Sequence, residues 1–256
     1  KPVMSYTATF ESKENYESEH TNFLAKKYKS KNFQIQIDKN VFFENLPRVI
    51  NAIDDPVADY AIVPTFLLAE LAAKDLKVVL CGEGGDELFG GYGRYKKLMR
   101  PLFNKKYKFK YKNIFQDFST IKKEFLLEKN YGDFFREQEN YSKLQNAQLY
   151  DCEHWLPNDL LNKVDRCLMY HGLEGRTPFL DTSIVENSFN LPDKMKINIG
   201  RSKYLLRKWL EKKDIEAKPF EKKRGFTVPV HKWIHDNGEK LGELVSSQEC
   251  IQHFAY

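Results

Sequence analysis

No run in this sequence reaches the ~20 consecutive apolar residues that a membrane-spanning helix needs, and its opening residues do not resemble a secretory signal. The expectation is a cytoplasmic protein without a membrane partner. Cysteine is scarce: Cys81, Cys152, Cys167 and Cys250 are scattered and form no C-x-x-C pair. Neither a disulfide framework nor a zinc site is expected, which suits a reducing compartment. G-x-x-x-x-G-K-[ST] is absent, which excludes a P-loop NTPase, and the absence of G-x-S-x-G argues against an α/β-hydrolase. Of the histidines only His231 and His235 stand one helical turn apart, and no glutamate lies between them, so a zinc-protease motif is missing.

Charge of one sign is also in short supply. The formal net charge is only +5, and much of the excess lies in Lys105, Lys106, Lys108, Lys110 and Lys112, interleaved with Tyr107, Phe109 and Tyr111. Such a run can hold single-stranded nucleic acid, but a solvated surface segment with aromatic anchors is the plainer reading. With 41% hydrophobic and 30% charged residues, the composition is that of a soluble globular protein of one or two domains. The first residue is Lys1 rather than Met, which suggests a piece of something longer.

What is present is concentrated between Lys77 and Tyr92. The apolar run Val78-Val79-Leu80-Cys81 reads as a buried parallel strand. It runs into a glycine-rich loop bearing Glu83, Asp86 and Glu87. Ligands of open α/β sheets sit beyond the carboxyl ends of strands. Clustered carboxylates repel one another unless a cation is shared, and Mg²⁺ on a polyphosphate is the natural candidate.

Around this loop, Val3–Phe10 and Phe33–Ile37 alternate as strands, and Asn15–Lys29 shows helical spacing. Val41–Ile53 predicts a helix with Phe42, Leu46, Val49 and Ile50 on one side. Pro64 suits the first turn of another helix reaching Lys74. Strands alternating with helices predict parallel βαβ units. From about residue 97 the strand pattern stops. Residues 150–175 read as helical, and Gly200–Lys213 predicts a helix with Leu205, Leu206, Trp209 and Leu210 inward. The organisation is an α/β part over 1–96 and a helical part over 97–256.

Two further segments could carry chemistry. In Lys163–Asp181, Gly172 suits a helix C-cap and would leave Glu174 and Arg176 in a turn beyond it. A structural Glu–Arg network at a helix end is the plain alternative. In Glu221–Pro229 a basic cluster precedes Gly225-Phe226. It is either a charged loop or a means of holding a cation rigidly over a phosphate.

Taken together and in this order, the segments resemble the synthetase domain of glutamine-dependent asparagine synthetases. Leu80–Tyr92 is close to that family's most specific signature. Asp165-Arg166, His171-Gly172-Leu173-Glu174, Arg176 and Pro178–Asp181 form a second match, and Lys223–Phe226 with Pro229 and Trp233 a third. Asp54-Asp55-Pro56, Asp59 and Pro64 also fit. The resemblance covers roughly residues 1–235. It implies a parallel sheet of the adenine nucleotide alpha-hydrolase (PP-loop ATP pyrophosphatase) type followed by a helical region. It also shows what is missing: the Ser-Gly-Gly-x-Asp-Ser loop, its strand at the centre of the sheet, and an N-terminal glutaminase domain.

The resemblance implies ATP-dependent amidation of aspartate to asparagine through β-aspartyl-AMP, with ammonia from glutamine. Asp86 would bind Mg²⁺, Lys223 would stabilise the crowded phosphorus and the pyrophosphate, and Lys203 would add a weaker pyrophosphate contact. Glu83 would orient the intermediate and take a proton, and Glu174 would assist as a second acid. Backbone at Ala8, Cys81 and Gly82 would meet adenine and ribose. ATP and Mg²⁺ are the implied cofactors. A glutaminase domain or subunit outside the chain is the implied partner, and a homodimer of the longer protein is compatible. Another amidotransferase or ring-closing synthetase of the same scaffold, or a non-catalytic remnant, stays open. The segment alone is expected to be inactive.

Overall fold

The computed structural model describes residues 2–10, 16–55, 57, 59–99, 136–221 and 228–249. Strand β1 (Met4–Phe10) pairs in parallel with β2 (Lys31–Ile37) across helix α1 (Tyr16–Lys27). Helix α2 (Lys39–Ala52) starts on Asp38, whose side chain accepts from the Val41 amide at 2.8 Å and satisfies a free helical N–H. Helix α3 (Ile62–Ala73) is apolar nearly all round, and Val63, Phe66, Leu67, Ala69 and Ala72 are buried. It packs against α2 and both strands, and Pro64 lies inside its first turn.

Strand β3 (Val78–Leu80) pairs in parallel with β4 (Glu174–Arg176), which comes from far along the chain. Parallel pairing and the βαβ pattern are therefore present, but as two separate two-stranded sheets. Among the described residues no ladder joins β1 to β3. Tyr6 of β1 and Val79 of β3 nevertheless pack against one apolar cluster, with Ala69, Ala72, Val164, Leu168 and Leu173. The expectation of a buried β3 is corrected. Only the Val79 face is covered, while Val78 and Leu80 on the other face are 48% and 77% exposed. A strand with an uncovered face keeps an apolar surface in water.

Two short helices, α4 (Gly85–Phe89) and α5 (Gly93–Leu98), follow β3. Beyond them, α6 (Lys143–Tyr150) runs into an 11-residue π-helix (Asp151–Leu161) and then α7 (Asn162–Tyr170). The lysine–aromatic run at 105–112 lies outside the described residues. A short 3₁₀ turn (Pro178–Leu180) leads to α8 (Thr182–Asn190), α9 (Asp193–Lys196) and α10 (Tyr204–Lys213). The last two helices are α11 (Val230–His235) and α12 (Gly238–Ser246). No helix among the described residues is long and apolar enough to cross a membrane.

Several expected faces turn out differently. Ile50 is 60% exposed although Phe42 and Val49 of the same helix are buried, and Trp209 is 59% exposed rather than inward. Gly172 does take the left-handed conformation just past α7, as its C-cap role required. Glu174 and Arg176, however, stand on a strand and not in a turn.

The start of α6 is a full capping box: the Gln145 amide donates to Ser142 Oγ at 3.1 Å, and the Ser142 amide donates to Gln145 Oε1 at 2.8 Å. Ser142 Oγ also donates to Asp193 Oδ1 at 3.0 Å. Ser142→Ala is expected to lower stability by about 1 kcal/mol, a typical cost for a lost N-cap. A urea-unfolding midpoint unchanged from the parent would refute that assignment.

Candidate functional site

The site is built where β3 ends. The Cys81 amide extends the ladder by donating to the Arg176 carbonyl at 2.8 Å, so the 174–181 segment is held alongside the glycine-rich loop. Gly84 turns the chain at φ +86°, a region that L side chains rarely adopt. Leu180 fills the space beside it, and a Cβ there would stand 2.3 Å from Leu180 Cδ2. Phe179 meets Phe89 edge-to-face, with ring centroids 6.0 Å apart. The first two sequence motifs are thus one packed unit.

Within that unit Glu83 is partly buried, and its Oε2 has no hydrogen-bond partner among the described residues. A carboxylate oxygen withdrawn from water without a partner costs about 1–3 kcal/mol or more. It is the kind of group a bound ligand would satisfy. Asp86, on the first turn of α4, places Oδ2 3.0 Å from Lys203 Nζ, and both side chains are about three-quarters buried. Lys203 sits in the left-handed region at φ 52° and its amide donates to the Phe89 carbonyl at 3.2 Å. The expected metal carboxylate and the expected pyrophosphate lysine are therefore direct neighbours. Gly91 forms the floor beneath them. Its amide donates to the Asp86 carbonyl at 2.8 Å, and a Cβ on it would lie 1.7 Å from Asp86 Oδ1.

Glu174 lies apart from this pair. It stands level with Val78 at the start of β3, pairs with Arg176 at 2.5 Å, and is about half exposed. Among the described residues no hydrogen bond or ion pair joins Glu83 to Glu174. Ala8 is buried in the first core, level with Ile35 of β2, while Gly82 is exposed. Lys223, with residues 222–227, lies outside the described residues. Burial and the adjacent Glu83 push the Cys81 thiol up to about 11, so it stays protonated at neutral pH and is no nucleophile. No group of three or more His, Cys, Asp or Glu side chains among the described residues is arranged to hold a metal ion.

Sequence reasoning missed the polar support beneath α4. Glu87, 1% exposed, accepts from the Tyr92 hydroxyl, and burial pushes its carboxyl above the usual range. Gln148 donates to the Leu88 carbonyl at 2.9 Å and also to that of Glu87, while its own carbonyl accepts from Lys196 Nζ at 2.9 Å. Asp151 accepts from Arg94 at 2.8 Å and from the Tyr95 hydroxyl. In sequence these residues look like solvated positions of charged helices, and only their partners reveal them.

The Asp54–Pro64 segment is tied to the second motif as well. Lys163 reaches Asp59 at 2.7 Å, and Arg166 reaches Asp54 at 3.0 Å. The Arg166–Asp54 pair borders a cleft of about 620 Å³ that Asp55, Asn158, Asn162 and Asp165 also line.

The sequence pattern described as asparagine synthase matches residues 1–253. Asparagine synthetase [glutamine-hydrolyzing] 1 of Bacillus subtilis (strain 168) is 31% identical over 242 residues, covering 77% of this chain and 38% of the relative. A putative asparagine synthetase [glutamine-hydrolyzing] of Mycobacterium tuberculosis (strain ATCC 25618 / H37Rv) is 29% identical over 253 residues, covering 82% and 38%. Asparagine synthetase [glutamine-hydrolyzing] 3 of Bacillus subtilis is 33% identical over 157 residues, covering 54% and 24%. The chain thus spans less than two-fifths of the length of these curated relatives. With α/β architecture, a small sheet and the glycine-rich acidic loop packed against the 174–181 segment, the chain belongs to the asparagine synthase family.

Proposed function

We propose that this chain supplies the ATP-handling side of an asparagine synthetase, acting on aspartate in the cytoplasm. The observation that carries the reading is the loop beyond β3, where Glu83 Oε2 is buried without a partner among the described residues and Asp86 stands 3.0 Å from Lys203. In the reaction the side-chain carboxylate of aspartate attacks the α-phosphorus of ATP and pyrophosphate leaves. Ammonia then attacks the acyl carbon, the C–O bond to phosphate breaks, and AMP departs with one former carboxylate oxygen. Lys203 and Lys223 offset charge on the pyrophosphate, and Lys223 also steadies the crowded phosphorus. Glu83 accepts a proton from the attacking amine. Glu174, paired with Arg176 on β4, is the second acid that assists the reaction.

The residues fit a magnesium ion carried by the nucleotide. Mg²⁺ typically takes one or two carboxylates and fills its remaining positions with phosphate oxygens and water. Asp86 is the carboxylate that would hold it, and the ion would offset charge on the phosphates. The sheet is of the PP-loop pyrophosphatase type, and the chain is divided into a nucleotide-binding part (1–96) and a helical part (97–256) that completes the synthetase site. The sheet is completed by a strand between β1 and β3 that brings the Ser-Gly-Gly-x-Asp-Ser loop. The open edges of β1 and β3 over a shared apolar cluster support this. Ammonia comes from a glutaminase domain or subunit outside the given sequence.

ATP–pyrophosphate exchange tests the reading. The expected result is aspartate-dependent exchange when the missing loop and strand are supplied, and none from this chain alone. With ¹⁸O in the aspartate carboxylate, label is expected in AMP. Exchange that ignores aspartate, or AMP that stays unlabelled, would overturn the assignment.

A further inference from the structure

Helix α4 is five residues long, too short to hold itself in place, yet it carries Asp86. Its C-terminal carbonyls are claimed from outside. Phe89 accepts from the Lys203 amide, while Leu88 and Glu87 accept from the Gln148 side chain. Gln148 and Lys196 are each 1% exposed, and Ala147 and Ile197 beside them belong to the core cluster under α5. Lys196 Nζ donates to Gln148 Oε1 at 2.9 Å and lies 5.4 Å from the Phe189 ring centroid.

The direction of this bridge follows from donor and acceptor chemistry. An ammonium only donates, and a backbone carbonyl only accepts. Among side chains of this length, an amide alone can accept from one and donate to the other. Gln148 is therefore locked in one orientation, with its oxygen toward Lys196 and its nitrogen toward α4. Glutamate at that position would satisfy Lys196 but set oxygen against the carbonyls. Burial draws the Lys196 ammonium down to about 8, opposed by the nearby Asp193 carboxylate and by Cys152, so it remains largely charged at neutral pH.

We infer that Lys196 and Gln148 are positioning residues: the buried ammonium orients the Gln148 amide, which holds α4 at the height where Asp86 meets Lys203. The bridge itself stands on geometry; its relevance to the reaction rests on the role of Asp86 proposed above.

Amide hydrogen exchange followed by NMR on this chain tests the inference, with no nucleotide present. In the parent protein the Gln148 side-chain NH₂ is expected to exchange at least tenfold more slowly than a free amide. Exchange at the free rate would overturn the proposal without reference to any variant. In Lys196→Met and Gln148→Glu, protection of the Leu88 and Gly91 amides is expected to fall at least tenfold. The β1–β2 ladder should stay within twofold of the parent. Gln148→Glu keeps a partner for Lys196 and so separates loss of positioning from loss of folding. An unchanged Leu88 and Gly91, or an equal fall throughout the molecule, would count against it. Failure of the exchange assay above would instead touch only the enzymatic reading.

Discussion

Gly91→Ala should lower aspartate-dependent ATP–pyrophosphate exchange by about 100-fold or more in the complete enzyme while leaving the unfolding midpoint within ~1 kcal/mol of the parent. The backbone at 91 is not among the positive-φ positions, so alanine is conformationally acceptable there. The objection is spatial. A Cβ would stand 1.7 Å from Asp86 Oδ1, 2.5 Å from its Cγ and 2.7 Å from Lys203 Cε. Real Cβ atoms do not approach other atoms that closely, so something must shift, and what can shift is the partly exposed Asp86 side chain. Rotation toward water costs little stability because the carboxylate is rehydrated. It does separate Asp86 from Lys203, and a misplacement of about 1 Å at a reacting centre can cost ~10²-fold in rate. Gly93→Ala is the control, because nothing lies within 4 Å of a Cβ there. Equal activity in the two variants would remove Asp86 from the catalytic account.

The glycine-rich loop was legible in the sequence because its signal is local. Glycines are needed where chain and ligand crowd together, and the acids advertise a cation. The β1 and β2 strands were legible through period-two alternation, and α2 through its apolar stripe. Pattern gives a face but not the neighbour that covers it. Ile50 and Trp209 satisfy the helical period and yet remain exposed. Strand β4 was missed because Glu-Gly-Arg has no β-branched residue. It is a strand only because the backbone of β3 lies beside it. Lys196 and Gln148 were missed for the opposite reason, since polar residues in charged helices read as solvated. The Asp86–Lys203 contact spans more than a hundred positions, and only the resemblance linked those two residues beforehand. Glu174 was expected to assist as a second acid, and its carboxylate pairs with Arg176 on β4, a contact that pattern alone did not announce.

The largest stability effect is expected at Asp151, the first residue of the π-helix. Its carboxylate, 3% exposed, accepts from Arg94 at 2.8 Å and from the Tyr95 hydroxyl, and Tyr95 itself is fully buried. Both partners lie on α5, directly after the loop, so one carboxylate ties the 85–98 region to the helices beyond it. Burial pushes its carboxyl above the ordinary range, and the Arg94 guanidinium and the Tyr95 hydroxyl pull against that without offsetting it. Removing one partner is therefore worse than removing both. Asp151→Ala strands the Tyr95 hydroxyl without an acceptor and leaves a half-buried guanidinium unpaired. Breaking a buried pair costs roughly 3–5 kcal/mol, and about 3 kcal/mol is expected here because Arg94 still reaches water and stacks 4.3 Å above the Tyr92 ring. The double variant Asp151→Leu with Arg94→Met should recover only part of that loss, because an apolar pair avoids desolvation of the two charges while the buried Tyr95 hydroxyl still lacks its acceptor. Urea unfolding of the parent, both single variants and the double variant measures the coupling directly. Additive losses would show that the carboxylate and the guanidinium act independently, and the tie between α5 and the π-helix would then rest on apolar packing alone.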